Sequence, residues 1–362
     1  MDLGSLAGVS DGMLAGHPLV SAAEAVAAEV LAPVATVVDG MALLPSSHLD
    51  ALAAAGLMGL VGPTAFGGSD CPGPVVRYVQ RVIAGACGAT FFTWVQHHAP
   101  VRYLATAPDS PAQRRWLGRL CTGRARGGIA FAYLRRPGPP AVRAEPDGDG
   151  WVLHGVAPWV TGWGLVDVIV VVAGAPDGRK VFAALTPETA GLAATPLDLM
   201  VLGSTGTVRL TLDGVRAGAD ELVDVWTADR WDATDRDAAA RPGGAPFGIA
   251  DTAVAGLAAT DPIRAAHLAR LLADCSDRAE SLLEGPVTNR EAWRYELTAV
   301  RDRSIDLANR AAQAWVTASG GGAMDRSHPA QRLLREAAFY LVQAQTPLLR
   351  ELTLNRLGAA RN

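Results

Sequence analysis

The chain has 362 residues, of which 49% are hydrophobic and 19% charged, with a net charge of −4 and a sequence pI near 6.0. That is enough apolar material for two or three domains or one large multi-layer unit. No basic face is legible, which argues against nucleic acid as a partner.

The N-terminus "MDLGSLAGVSDGMLAGHP" has no basic segment and no long apolar run, so it does not read as a signal peptide. From Pro18 to about Thr122 the period is helical. "PLVSAAEAVAAEVLAPVATVVDG" carries apolar residues at three- and four-residue steps and ends at Gly40. "PSSHLDALAAAGLMGL" opens on Ser46 or Ser47 as a possible N-cap. "PGPVVRYVQRVIAGACGATFFTWVQHHAPVRYLA" reads as one or two helices apolar nearly all round, the mark of burial.

From about Arg126 to Val225 the period becomes two. "GGIAFAYL", "AVRAEPDGDGWVLHGVAPWVTGW", "DVIVVVAG", "KVFAALTP" and "TVRLTLDGVRA" have strand composition, with turns at "DGDG", "APDGRK" and "LDGV". No segment reaches the eighteen or so apolar residues of a membrane span; "LVDVIVVVAG" is too short and reads as a strand. From Trp226 the helical period returns in five stretches, and Gly320, Gly321 and Gly322 break the third from the fourth. "GGGAM" follows a helix rather than a strand, so it is no dinucleotide fingerprint.

The order predicts an α+β fold with segregated layers. It comprises an N-terminal α-helical domain over 1–125, a middle antiparallel β-domain over 126–225 and a C-terminal α-helical bundle over 226–362. Cys71, Cys87, Cys121 and Cys275 form no CxxC pair and read as free, mostly buried thiols in a reducing cytosol. His97 and His98 are adjacent and the other histidines scattered, so no metal site is expected.

The densest chemical signal is "GWVLHGVAPWVTGWG". On a regular strand Trp159 and Thr161 share a face. An indole beside a hydroxyl suits a flat ring needing one stacked face and one hydrogen bond at its edge, as a flavin does. The tryptophans can equally fill the sheet–helix interface, and both readings stand. Arg135 and Arg136 can meet a phosphate or form a solvated turn. "GSTGT" (203–207) lacks the spacing of a nucleophile elbow. The carboxylates of the last domain, Glu280, Glu284, Glu291, Glu296, Glu336 and Glu351, read singly as solvated helix residues.

Helix–sheet–helix order, "AAAGLMGLVGPTAFGG", "DGDGWVLHGVAPWVTGWGLVDVIVVVA", "LGSTGTVRLTLDGVRA", "AWVTASGGGAM" and "HPAQRLLREA" together resemble the acyl-CoA dehydrogenase family from Pro18 to Leu357. The resemblance implies FAD, an acyl thioester such as acyl-CoA as substrate, α,β-dehydrogenation and a dimer or tetramer, as a homo- or hetero-oligomer; the cysteine usage points to a cytoplasmic location. It carries the tryptophan–hydrophobic–threonine triplet onto Trp159, Val160 and Thr161. Phe131, Tyr133 and Leu134 would line the same pocket.

Two departures stand out. The family's threonine–glutamate–proline run is replaced by "YLRRPGPPA", in which Pro137 and Gly138 fit the pattern. Family members commonly have tyrosine–glutamate–glycine–threonine before the last helix, and the glutamate is the base. Aligned on Thr346, "QAQT" puts Ala344 there. Some members place the base on the first long helix of the last domain, near Ala238, which brings in Asp237. Three readings follow: a dehydrogenase with an atypical base, a non-catalytic or site-sharing subunit paired with a paralogue, and a flavin-dependent monooxygenase on the same fold.

Overall fold

The computed structural model describes residues 14–136 and 138–359. The signal-peptide reading of residues 1–13 and the match at Pro137 lie outside the described residues. Helices run to Cys121, strands from Gly127 to Trp226 and helices again from Ala228 to Gly358, the order expected of the α+β fold.

The first helical run contains α1 (Pro18–Val26) and α2 (Ala35–Asp39), joined by a π-turn over Ala27–Leu31 and a 3-10 turn over Ala32–Val34. Pro33 lacks an N–H and its ring crowds the carbonyl four residues back, so the regular ladder cannot pass through it. The run Pro18–Asp39 corrects one expectation: it is 22 residues long, has a mean hydropathy of 1.5, and by length and composition can cross a membrane. Its burial is one-sided, however, and Val34 and Val37 are exposed. Val20, Ala23, Ala27, Leu31, Ala35 and Val38 are buried at helical spacing, while Glu24 and Glu29 are exposed.

The chain divides into two compact units that do not follow the three sequence segments. The first contains residues 14–37, Gly73–Gly88 and 234–359; the second contains Val38–Pro72 and Ala89–Ala233. The first 125 residues are thus shared between the two.

In the second unit lie α3 (Ser46–Ala54) and most of α5 (Gly88–Thr106), which follows α4 (Gly73–Ala86) of the first unit, and then α6 (Pro111–Cys121). Strands are β1 (Gly127–Ala130), β2 (Val142–Asp147), β3 (Gly150–Val160), β4 (Val168–Gly174), β5 (Lys180–Leu185), β6 (Leu192–Pro196), β7 (Val208–Ala217) and β8 (Leu222–Trp226). They form one sheet in the order β6-β7-β3-β2-β4-β5-β8, with β1 beside β4. The antiparallel expectation needs correction at two places: β1 pairs with β4 in parallel, and so does β2 at Arg143 and Gly174. Strands joined by tight turns are antiparallel because a short loop permits nothing else. The "DGDG" turn is one such, with Gly148 at φ 62°.

Strand β4 explains why "VIVVVAG" is apolar without alternation. Ile169, Val171 and Ala173 enter the core on one face of the sheet. Val168, Val170 and Val172 enter the core on the other, with Phe182, Trp226 and Trp116. A strand covered on both sides has no solvent face to reserve for polar residues.

Helix α5 is buried as expected: Trp94 is 0% exposed, and His97 and His98 are almost as deep. His97 Nδ1 accepts the Gly127 N–H at 2.9 Å, which places the ring proton on Nε2. Burial lowers the His97 pKa to about 4 and holds His98 well below its ordinary value. In the unfolded chain these rings take a proton near pH 6.5. Stability is therefore full above that pH and is lost as the pH falls from 6.5 towards 4. For His97 the loss should reach on the order of 3 kcal/mol. Urea midpoints across this range should fall steeply in the parent and less steeply in His97→Gln, whose amide oxygen can still accept from Gly127. An equal slope in both would remove His97 as the cause.

In the first unit follow α7 (Ala228–Ala240, of which only the later part belongs here), α8 (Gly244–Ala258), α9 (Pro262–Glu284), α10 (Arg290–Ser319), α11 (Pro329–Phe339) and α12 (Pro347–Gly358). Asn289 caps α10, accepting from the Glu291 and Ala292 N–H groups at 3.1 Å. The triple glycine forms a short 3-10 turn after α10, with Gly320 at φ 62°. Arg77 on α4 pairs with Glu280 and Glu284 of α9. Arg81 reaches Asp251 at 2.7 Å and Ser276 at 3.0 Å.

Candidate functional site

The C-terminal end of β3 is irregular. Its register against β7 slips between Ala157 and Val160. Pro158 lies within the slip and has no N–H to give the ladder. Parity therefore does not carry from Trp159 to Thr161, and the expectation of one shared face fails. Trp159 is 51% exposed, Val160 is buried, and Thr161 lies beyond the strand end at 6%.

Thr161 heads a chain of hydroxyls. Its Oγ1 is 2.9 Å from Thr207 Oγ1, which is 2.8 Å from Thr205 Oγ1. Thr205 donates to the Leu202 carbonyl at 2.7 Å. Leu202 stands at φ 57°, a left-handed conformation that is costly for leucine. The loop bonds to the residues after Thr161: Gly162 N–H donates to Thr205 O at 3.0 Å and Trp163 N–H to Gly206 O at 2.9 Å.

The other residues proposed for this pocket divide. Val160 and Tyr133 are core. The Tyr133 hydroxyl donates to Val172 O at 2.7 Å, with Ala130 O at 3.0 Å, and burial raises its pKa. Neither side chain is presented to a ligand. Leu134 is half-buried against the apolar layers on both faces of the sheet. Phe131 is half-buried, edge-on to Trp231 at 5.9 Å, with the Arg135 guanidinium 5.1 Å from its ring centroid. Arg136 is exposed. Of the three tryptophans, Trp151 is core and Trp163 packs against it, so the interface-filling reading holds for those two. Trp159 alone of the three offers a large exposed face.

What remains is an exposed Trp159, a half-buried Phe131 and the hydroxyl chain that begins at Thr161. Thr93 Oγ1 and Ser204 Oγ are buried without a hydrogen-bond partner among the described residues. Both lie at this end of the sheet: a Cβ on Gly162 would stand 3.8 Å from Thr93 Cγ2, and Ser204 is one residue from Thr205. Buried hydroxyls left open in this way ask for a polar partner. An exposed indole and open hydroxyls are groups that a flavin ring can use, and in the "YLRRPGPPA" stretch Arg136 is exposed.

The turn before the last helix lies in the first unit. Tyr340 ends α11 and is buried. Thr346 caps α12, accepting from Leu349 N–H at 3.2 Å, and Pro347 takes the first helical position. Between them Ala344 stands at φ 47°. Arg301 of α10, buried at 6%, donates to the carbonyls of Ala239, Gln343 and Ala344. The turn is thus pinned by a buried guanidinium, and no acid stands between Tyr340 and Thr346.

Asp237 is held by Arg290 and, at 2.6 Å, by Arg294. Burial by itself raises its pKa, but the two guanidiniums outweigh it and leave the carboxyl below its ordinary range. Glu336 is buried and paired with Arg332 at 2.7 Å. Glu280 and Glu284 pair with Arg77, and Glu296 with Arg278; Glu291 and Glu351 are exposed. Among the described residues no group of three His, Cys, Asp or Glu side chains is placed to hold a metal ion. The four cysteines are free, three buried and Cys71 half-buried, and burial pushes Cys121 and Cys275 to about 11. Sequence reasoning passed over Arg301 and the "GSTGT" hydroxyls. The only signal for the latter is three hydroxyl residues in five positions between glycines.

Helical first segment, central sheet and closing helices define a class, that of the acyl-CoA dehydrogenase fold. Residues 17–124 match the family described as acyl-CoA dehydrogenase, N-terminal domain. The probable acyl-CoA dehydrogenase YngJ of Bacillus subtilis (strain 168) is 27% identical over 208 residues, 53% of each chain. This chain thus aligns with about half the length of the curated relatives it matches. Butyryl-CoA dehydrogenase of Megasphaera elsdenii superposes with a TM-score of 0.78 at 17% identity, covering 99% of this chain and 100% of that one. Dibenzothiophene monooxygenase of Paenibacillus sp. A11-2 superposes with a TM-score of 0.77 at 18% identity, covering 94% and 96%. At such identities the two superpositions speak to fold alone. Residues 17–124 thus match that family's N-terminal domain, and the chain as a whole has the acyl-CoA dehydrogenase fold.

Proposed function

We propose that the chain is a flavoprotein oxidoreductase that binds FAD at the end of β3 and acts on an acyl thioester such as acyl-CoA. The observation that carries this reading is the half-exposed Trp159 indole, two residues before the Thr161 hydroxyl chain in sequence. Trp159 would stack on the ring, Phe131 would close its edge and Thr161 would take a hydrogen bond. FAD, when bound, supplies a hydride acceptor for α,β-dehydrogenation. The chain's own turn offers no carboxylate for the α-proton, and Asp237, tied to two arginines, is not the base in this reading. The base is therefore atypical or supplied by a partner subunit, which agrees with a homo- or hetero-oligomer in the cytoplasm.

A second reading, a flavin monooxygenase on the same fold, is favoured by the acid-free turn, because oxygen on reduced flavin needs no carboxylate to remove an α-proton. The purified protein should carry or take up FAD and show a flavin absorption band. Anaerobic bleaching of that band by acyl-CoA thioesters supports dehydrogenation. Oxygen consumption only with an added flavin reductase supports the second reading. A colourless protein that takes up no flavin, alone or with a paralogue, would sink both.

A further inference from the structure

From Ser110 to Ala144 the chain has eight arginines and no aspartate or glutamate, although its net charge is −4. Helix α6 and the residues just after it carry five of the eight. Two of these are answered by carboxylates, Arg114 by Asp109 at 2.6 Å and Arg126 by Asp50. Arg115, Arg119 and Arg124 are exposed and have no ion pair among the described residues.

Arg115 and Arg119 are one turn apart on the outer face of α6, whose inner face buries Ala112, Trp116, Leu117 and Leu120. Like charges at that spacing repel and cost helix stability. Both guanidiniums are nonetheless held on the Trp116 ring, 4.8 and 5.1 Å from its centroid. Arg124 is tied to the same face, because its Nε donates to Thr122 Oγ1 at 3.0 Å. The Phe66 segment borders this face: a Cβ on Gly118 would lie 3.8 Å from Phe66 O, and Phe66 is 39% exposed. Fixed cations with an apolar contact beside them match an acidic protein surface. Carboxylates one turn apart on a partner helix repeat at the step of Arg115 and Arg119, about 6 Å along the axis.

The patch leads to the end of β3. Strand β1 begins three residues after Arg124, and a Cβ on Gly128 would lie 3.4 Å from Thr161 O. Four residues of chain span at most about 14 Å, so a flexible arm from a partner on α6 can reach that strand end. Resting on the reading that the chain acts on an acyl thioester, we propose that the thioester is presented by an acidic carrier protein. The carrier docks on Arg115, Arg119 and Arg124 and extends its acyl group on a flexible arm.

The test is fluorescence anisotropy of a labelled acyl carrier protein, charged with a butyryl thioester, against the full chain. Butyryl-CoA, titrated by calorimetry, is the same thioester without the protein surface. Carrier affinity should fall at least about tenfold between about 50 and about 300 mM salt. Arg115→Glu with Arg119→Glu should weaken carrier binding at least about tenfold and leave butyryl-CoA affinity within about twofold. Circular dichroism checks that the variant is folded.

No carrier binding at about 1 mM overturns the proposal, even if anionic lipid vesicles bind the patch. Equal losses of carrier and butyryl-CoA affinity overturn it too, because the arginines would then hold a phosphate. So does unchanged carrier binding in the folded variant. Bleaching of bound flavin by butyryl-CoA without carrier binding sinks this proposal alone. Carrier binding through the arginines, with no bleaching by either thioester, upholds the docking face and sinks the thioester reading.

Discussion

Returning a glutamate to the turn before Thr346 is expected to raise flavin reduction by an acyl thioester about 10²- to 10⁴-fold, the usual contribution of a positioned general base. The register of that glutamate is where sequence and structure part. Alignment on Thr346 puts the base at Ala344. The backbone argues for the residue before it. Ala344 has φ 47°, the left-handed region that glycine enters freely and alanine does not. In the family's tyrosine–glutamate–glycine–threonine pattern glycine follows the glutamate, and from the Ala344 φ we propose the alternative register that sets glycine on Ala344 and glutamate on Gln343. Gln343 is also the uncharged isostere of glutamate. Gln343→Glu should therefore give the larger gain and Ala344→Glu the smaller, measured as anaerobic bleaching of bound FAD. Arg301 holds the carbonyls of both residues, so neither side chain is part of the clamp and the turn should survive both changes. No gain from either variant, with flavin demonstrably bound, would show that more than the base is missing.

Gly248→Ala should destabilise the first unit on the order of 3 kcal/mol, even after the roughly 1 kcal/mol that alanine gains over glycine inside a helix. Helices α4 and α8 approach so closely that a Cβ on Gly248 would overlap the Arg81 carbonyl oxygen and stand 2.8 Å from Gly85 N. The obstruction is backbone, not the end of a flexible side chain, so the helices must part. Parting them also strains the Thr252 hydroxyl, which donates to Gly85 O at 3.0 Å. Gly243 is the control, because a Cβ there meets nothing within 4 Å; Gly243→Ala should change stability by less than about 0.5 kcal/mol. Denaturant midpoints of the two variants decide the matter, and equal shifts would remove close helix approach as the cause.

Much of the fold was legible in the residues. Period two against period 3.6 separated the sheet from the helices because strand and helix geometry impose those repeats on any half-buried element. The glycines and aspartates of the turns, and the caps at Asn289 and Thr346, act within a few residues, so they too could be read locally. The turn "QAQT" was placed correctly between two helices for the same reason.

Other features depend on residues far apart in the chain. Periodicity marked Gly73–Ala86 as a helix, yet could not assign it to the unit of the closing helices, where Arg77 meets Glu280 and Arg81 meets Asp251. The family resemblance made Tyr133 and Thr161 both look available to a ligand. The sheet turned the Tyr133 hydroxyl onto Val172 O, and the 203–207 loop set the Thr207 hydroxyl against that of Thr161. Asp237 entered as the alternative base implied by the resemblance, and Arg290 and Arg294, more than fifty residues away, close on it. Local sequence specifies elements because backbone geometry and hydrophobic period act over a few residues. A side chain's chemistry here depends on which donor or acceptor reaches it first, and folding alone brings those partners together.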